Sequence, residues 1–178
     1  AWEEYNTIIN RYCQSLMIDP QTVVGTEERL EVEIAGRPFI MIIDRIDLKD
    51  DMLSFTDYKS GWVITEPRDT LQLPIYACGL HKAYGHKEIE GALDFVRFGT
   101  EKKTTFYLDD FEHTEDLVGQ IIYRFERETE WPARPGERCS ICGHVLDCPY
   151  MIGERGVVKD EQDAERLLGE IALLDVQK

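Results

Sequence analysis

In the stretch FTDYKSGW, residues 55–62, an aspartate stands two places ahead of a lysine at the end of an alternating, largely apolar segment. Side chains alternate across a strand, so Asp57 and Lys59 share one face and Tyr58 takes the other. Thirteen residues upstream, Asp44 ends the apolar run FIMII. Paired through the intervening KDD turn, the two segments bring Asp44 and Asp57 to one end of a sheet. Two carboxylates and a backbone carbonyl make an oxygen-rich site that suits Mg²⁺ or Mn²⁺. A lysine in reach can orient or deprotonate a water and offset charge growing on a phosphate. The bland alternative is a strand-end ion pair on a wet surface, and the spacing alone leaves both readings open.

Three of the five cysteines, Cys139, Cys142 and Cys148, fall within ten residues with C-x₂-C-x₅-C spacing. An odd, clustered set suits a metal site in a reducing, cytoplasmic setting better than a disulfide framework. Spacing does not separate zinc from an iron–sulfur cluster. His144 is a candidate fourth ligand for zinc, and Cys13 is the only N-terminal thiol. Cys78 reads as core, while His86 and His113 read as solvated and receive no role.

The elements that position these residues follow from periodicity. Trp2, Tyr5, Ile9, Tyr12 and Leu16 predict a helix over 2–17, stopped by DPQT. Leu30, Val32 and Ile34 alternate, AGRP turns the chain into 39–48, and 52–58 is the next strand. A helix is predicted near 70–84, with Pro74 in its first turn and a core stripe of Leu73, Ala77, Leu80 and Tyr84. Strands at 91–98 and 103–108 precede a long helix through Leu117, Ile121 and Phe125. The segment after it lacks a hydrophobic period and is dense in Pro, Gly and Cys, which favours ordering around a metal centre. Leu167, Leu168, Ile171 and Leu174 predict a last helix over 156–178. The expected organisation is one domain over 1–178: a first helix to residue 22, a core over 23–130, a cysteine-rich segment over 131–155 and the closing helix. The chain opens inside a helical pattern, so a preceding natural segment is expected.

A length of 178 residues with 43% hydrophobic content leaves room for a real core. No apolar run is long enough for a membrane span. The net charge of −15 opposes non-specific attraction to nucleic acid. Arg97, Lys102 and Lys103 form the best local basic patch for a DNA backbone, although a solvated hairpin explains them equally well. No G-x-x-x-x-G-K-[ST] phosphate loop occurs, so ATP-driven unwinding has no site here.

The combination IIDRID, FTDYKSG and LQLPIYA resembles the RecB-like branch of the PD-(D/E)xK nuclease superfamily, over roughly 23–149. That branch includes the nuclease domains of RecBCD/AddAB-type recombination enzymes and CRISPR adaptation nucleases. The resemblance implies an α/β, restriction-endonuclease-like core, a mixed central sheet flanked by helices, with a C-terminal cysteine-rich metal-binding segment. It implies metal ligation by Asp44, Asp57 and the Tyr58 carbonyl, with Lys59 catalytic. The family's Gln-x-x-x-Tyr signature maps onto Gln72 and Tyr76, which share a helix face. It implies a divalent-metal DNA exonuclease in recombination, repair or end processing, with DNA and a helicase or other repair subunit as partners. The cysteine trio then holds an iron–sulfur cluster, 4Fe-4S, completed by Cys13, with zinc as the alternative. Two departures stand out: IMIID lacks the usual glycine before Asp44, and no histidine precedes His81 as an upstream ligand. Glu27 is a candidate substitute. The second reading is a catalytically incomplete nuclease-like module for DNA binding or subunit contact.

Overall fold

The computed structural model describes residues 2–15, 18–132, 134, 136–145, 148 and 150. It divides into two units, the second beginning at Glu128. The helix expected over 156–178 lies outside the described residues.

The first unit is an α/β fold. A helix α1 (Trp2–Ser15) precedes three antiparallel strands, β1 (Val23–Ile34), β2 (Arg37–Lys49) and β3 (Met52–Lys59). Helix α2 (Gln72–Tyr84) crosses to β4 (Glu88–Phe95), which runs parallel to β3. Strand β5 (Thr100–Tyr107) closes the sheet antiparallel to β4, and α3 (Leu108–Arg127) follows. The sheet order is β1-β2-β3-β4-β5. The β1–β2 and β2–β3 turns each have two residues with positive φ, Ala35–Gly36 (52° and 70°) and Asp50–Asp51 (51° and 65°). Paired left-handed residues match the twist of the flanking strands, and aspartate tolerates that region better than most side chains.

The core lies between the sheet and the helices α2 and α3. Ile34, Ile43, Phe55, Leu93 and Phe106 from the sheet pack with Leu73, Ala77 and Leu80 of α2 and Phe111 and Val118 of α3. Gly79 lets α2 lie close to β2, because a Cβ there would come within 2.0 Å of the Met41 methyl. Gly91 is tighter in kind: a Cβ would sit 2.6 Å from the Phe55 ring and 3.0 Å from Phe106. An aromatic ring cannot fold away as a thioether can. Gly91→Ala is therefore expected to destabilise the fold by about 1–3 kcal/mol, read as a lower midpoint in urea with an unchanged slope.

Several elements differ from expectation. Tyr84 is half exposed, so the α2 stripe ends at Leu80. The buried face of α3 carries Phe111, Thr114 and Val118, while Ile121 and Phe125 are exposed. Two apolar stripes overlap on that helix, and contact with the sheet selects the earlier one. Strand β4 starts at Glu88 and stops at Phe95, so Arg97 lies beyond it. Arg97 is buried and pairs with Glu4, Lys102 pairs with Glu66, and Lys103 pairs with Glu90 and Glu101. With every cation matched to a carboxylate, the expected basic patch is not a free phosphate surface.

Candidate active site

Alternation in β2 slips at the position that matters. Met41 and Ile43 are buried two apart, yet the next core residue is Ile46, three further on. Opposite this slip, β1 holds Glu27 at φ 49°, bracketed by the pairs Thr26 with Arg45 and Glu28 with Ile43. Among the described residues it is the one non-glycine inside a strand with positive φ, a conformation that costs about 1–3 kcal/mol unless neighbours enforce it. The slip leaves Asp44 on the helix-covered side next to Ile43.

The β2–β3 ladder runs to Arg45 and Thr56, and one step further Asp44 comes beside Asp57. The Tyr58 N–H, released from the ladder, donates to Asp44 Oδ2 at 2.7 Å. Lys59 Nζ lies 2.7 Å from Asp57 Oδ2 and donates to Gln72 Oε1 at 2.7 Å. The Gln72 amide donates from Nε2 to Asp57 Oδ1 at 2.8 Å and to Tyr76 Oη at 3.0 Å. Tyr76 Oη in turn donates to the Ile42 carbonyl at 2.8 Å. This network fixes the amide: turned over, its oxygen would face a carboxylate. The structure thus brings Asp44, Asp57, Lys59, Gln72 and Tyr76 together, and the Tyr58 backbone with them.

Asp57 Oδ2 is buried and has no hydrogen-bond partner, although the Lys59 ammonium is within ion-pair distance. Burial raises the Asp57 pKa above the usual carboxylate value, Lys59 pulls it back, and Asp44 adds to the rise. Two adjacent carboxylates, one of them buried, are what a hard divalent cation satisfies, so the donor set fits Mg²⁺ or Mn²⁺. Asp44, Asp57 and the Tyr58 carbonyl are the residues that would hold it, and the ion would supply Lewis-acid polarisation and an activated water. Lys59 is held by Gln72 and would have donors left for a phosphate oxygen.

One functional group escaped the sequence reading. Arg45 donates from Nε to Asp47 Oδ2 at 2.7 Å, from Nη2 to Thr56 Oγ1 at 2.9 Å and from Nη1 to Tyr58 Oη at 2.5 Å. It clamps the residues on both sides of Asp57 from the opposite sheet face. Tyr12 of α1 joins this cluster by an edge-on contact with Tyr58 and a hydrogen bond to Asp94. The signal was present: Arg45-x-Asp47 has the same two-residue spacing as Asp57-x-Lys59.

The thiols are placed differently. Cys78 is fully buried in α2, and burial pushes its pKa up to about 11, which suits a core residue. Cys13 is exposed on α1. In the second unit, Cys139 accepts a hydrogen bond at Sγ from the Gly136 N–H at 3.4 Å, within a short 3₁₀ turn (Glu137–Ile141). Among the described residues no three His, Cys, Asp or Glu side chains gather closely enough to hold a metal ion. That holds for Cys139, Cys142 and Cys148 and for Glu27 with Asp44 and Asp57.

The model of the PD-(D/E)XK nuclease superfamily matches residues 6–150, most of the chain. The chain belongs to that superfamily. A PD-(D/E)XK assignment agrees with the five-stranded mixed sheet and its covering helices. The chain is 25% identical over 143 residues to the Gene 69 protein of Mycobacterium phage D29, covering 76% of this chain and 52% of that one. It thus spans about half the length of that relative. Among solved structures it is similar to a "Putative exonuclease" from Eubacterium rectale, with 14% identity, a TM-score of 0.46, and coverage of 79% and 65% of the two chains.

Proposed function

We propose that this chain is a divalent-metal-dependent DNA nuclease, acting as an exonuclease in recombination, repair or end processing. The observation that carries the reading is the buried Asp57 carboxylate, whose charge Lys59 offsets only in part while the neighbouring Asp44 works against it. A structural ion pair needs one carboxylate for its lysine, not a second carboxylate beside a buried one at a strand end. In this reading Lys59 serves the phosphate and the attacking water, Gln72 holds Lys59 and Asp57 in register, and Tyr76 anchors Gln72 to β2. Glu27, between the paired residues Thr26 and Glu28 of β1, is the candidate for a further metal contact. Incubation of linear DNA with the purified chain is expected to give short products with Mn²⁺ or Mg²⁺ and none with a chelator. Intact DNA at all metal concentrations would sink the enzyme reading in favour of a DNA-binding or subunit-contact module.

A cluster at Cys139, Cys142 and Cys148, with Cys13 as fourth ligand, is supported by spacing and family resemblance. It requires the three thiolates to move together. Anaerobically purified protein is then expected to carry about four irons per chain and to absorb in the visible, and Cys142→Ser to remove both. Zinc without visible absorption points to the alternative centre, and protein free of both metals ends either version. A helicase or other repair subunit as partner remains part of the same reading, because no phosphate loop in this sequence supplies unwinding.

A further inference from the structure

Three residues beyond Lys59 the chain presents Trp62, 70% exposed. One face of its indole is occupied, since the Arg97 guanidinium lies 3.6 Å from the ring centroid. That guanidinium is itself fixed: it donates to Glu4 Oε1 at 2.8 Å and to the Ser60 carbonyl at 3.4 Å, and its side chain is 7% exposed. A desolvated cation at such short range sets the plane of the ring from behind. The exposure of Trp62 therefore belongs to the opposite face and the rim. Val63 and Ile64 follow, 71% and 41% exposed, and extend the apolar ledge. Three residues of chain span at most about 11 Å, which keeps the Trp62 backbone within that distance of Lys59.

We propose that Trp62 is a stacking platform for an unpaired nucleobase, which makes a single-stranded or frayed DNA end the substrate held at this site. The inference rests on the nuclease reading above and adds the class of DNA end. A rigid ring with one free face fits any base, but only a base that has left its own stack can use it. Charge argues in the same direction. The chain carries a net −15, and Arg97, Lys102 and Lys103 are each paired with carboxylates. Little binding energy is then available from phosphate contacts, whereas stacking needs no counterion release. Trp62 is a positioning residue here: it holds the nucleotide beside the scissile phosphate while Asp57 and Lys59 act on it.

The test uses the full chain with oligothymidylate and with a backbone-matched abasic oligonucleotide. In Mn²⁺, Trp62→Ala is expected to raise KM for oligothymidylate about tenfold or more, with kcat changed by less than about twofold. Trp62→Phe should restore most of the affinity. The abasic strand should show the raised KM with the unmodified chain, and Trp62→Ala should add nothing to it. An unchanged KM for oligothymidylate in Trp62→Ala overturns the platform and leaves the nuclease reading intact. If the unmodified chain cleaves no DNA, the nuclease reading fails separately, and fluorescence in chelator decides the platform. Quenching by oligothymidylate that Trp62→Phe abolishes supports it, with Trp2 and Trp131 as the constant background. Equal quenching in both proteins ends it.

Discussion

Asp57→Asn is expected to abolish metal-dependent cleavage, by about 10³-fold or more, while making the metal-free protein more stable at neutral pH. The two effects have one cause. Burial raises the Asp57 pKa in the fold, with Asp44 adding to the rise and Lys59 only partly opposing it. The folded state therefore holds the Asp57 proton more tightly than the unfolded chain does. Below the ordinary carboxylate value of about 4 both states are protonated and Asp57 costs nothing. As pH rises from there through the raised value, the cost of the buried charge builds to its full size, and it persists at pH 8. Asparagine keeps the acceptor for Gln72 and removes the charge. The melting temperature of Asp57→Asn should exceed that of the unmodified protein at pH 8, and the difference should close as pH falls toward about 4. Mn²⁺ should then raise the melting temperature of the unmodified protein and leave the variant's unchanged. Cleavage by the unmodified protein should fade on the acid side above the usual carboxylate range, because protons compete with metal for Oδ2. A variant that cleaves normally, or one less stable at pH 8, contradicts the assignment of Asp57.

The site was legible where two-residue alternation is the whole story. Asp57 and Lys59 on one face, and Asp44 one ladder step away, follow from spacing and a two-residue turn at Asp50–Asp51. The slip at Asp44 was not legible, since it depends on Glu27 accepting a left-handed conformation in the neighbouring strand. Gln72 and Tyr76 carry no signal of their own on a helix, and only resemblance pointed to them. The Arg45 clamp needs partners from two strands, and the α3 stripe needed a sheet to choose between two apolar faces. Fixed local spacing is therefore read more surely than a choice made by tertiary contact.

Lys59→Ala should lower kcat by about 10²- to 10³-fold while Mn²⁺ binding is retained or tightened. In the metal-free site the ammonium is what offsets the Asp57 charge, at 2.7 Å from the same Oδ2 that a cation needs. Removing it leaves a buried carboxylate without its partner, which costs the apo fold stability at neutral pH and removes a competitor for the metal. Stability lost without metal and regained with it is thus a signature that a purely structural lysine lacks. The neighbours grade the effect. Gln72→Ala frees both Lys59 and Asp57 from their bridging amide, and should cost about tenfold in kcat. Tyr76→Phe removes only the contacts to Gln72 and the Ile42 carbonyl, and should cost less than Gln72→Ala. Calorimetric titration with Mn²⁺ alongside single-turnover cleavage separates binding from chemistry. Weakened Mn²⁺ binding with full cleavage at saturating metal in Lys59→Ala would make Lys59 a support for the metal site. Any other order of the three variants would place the chemistry elsewhere on the network.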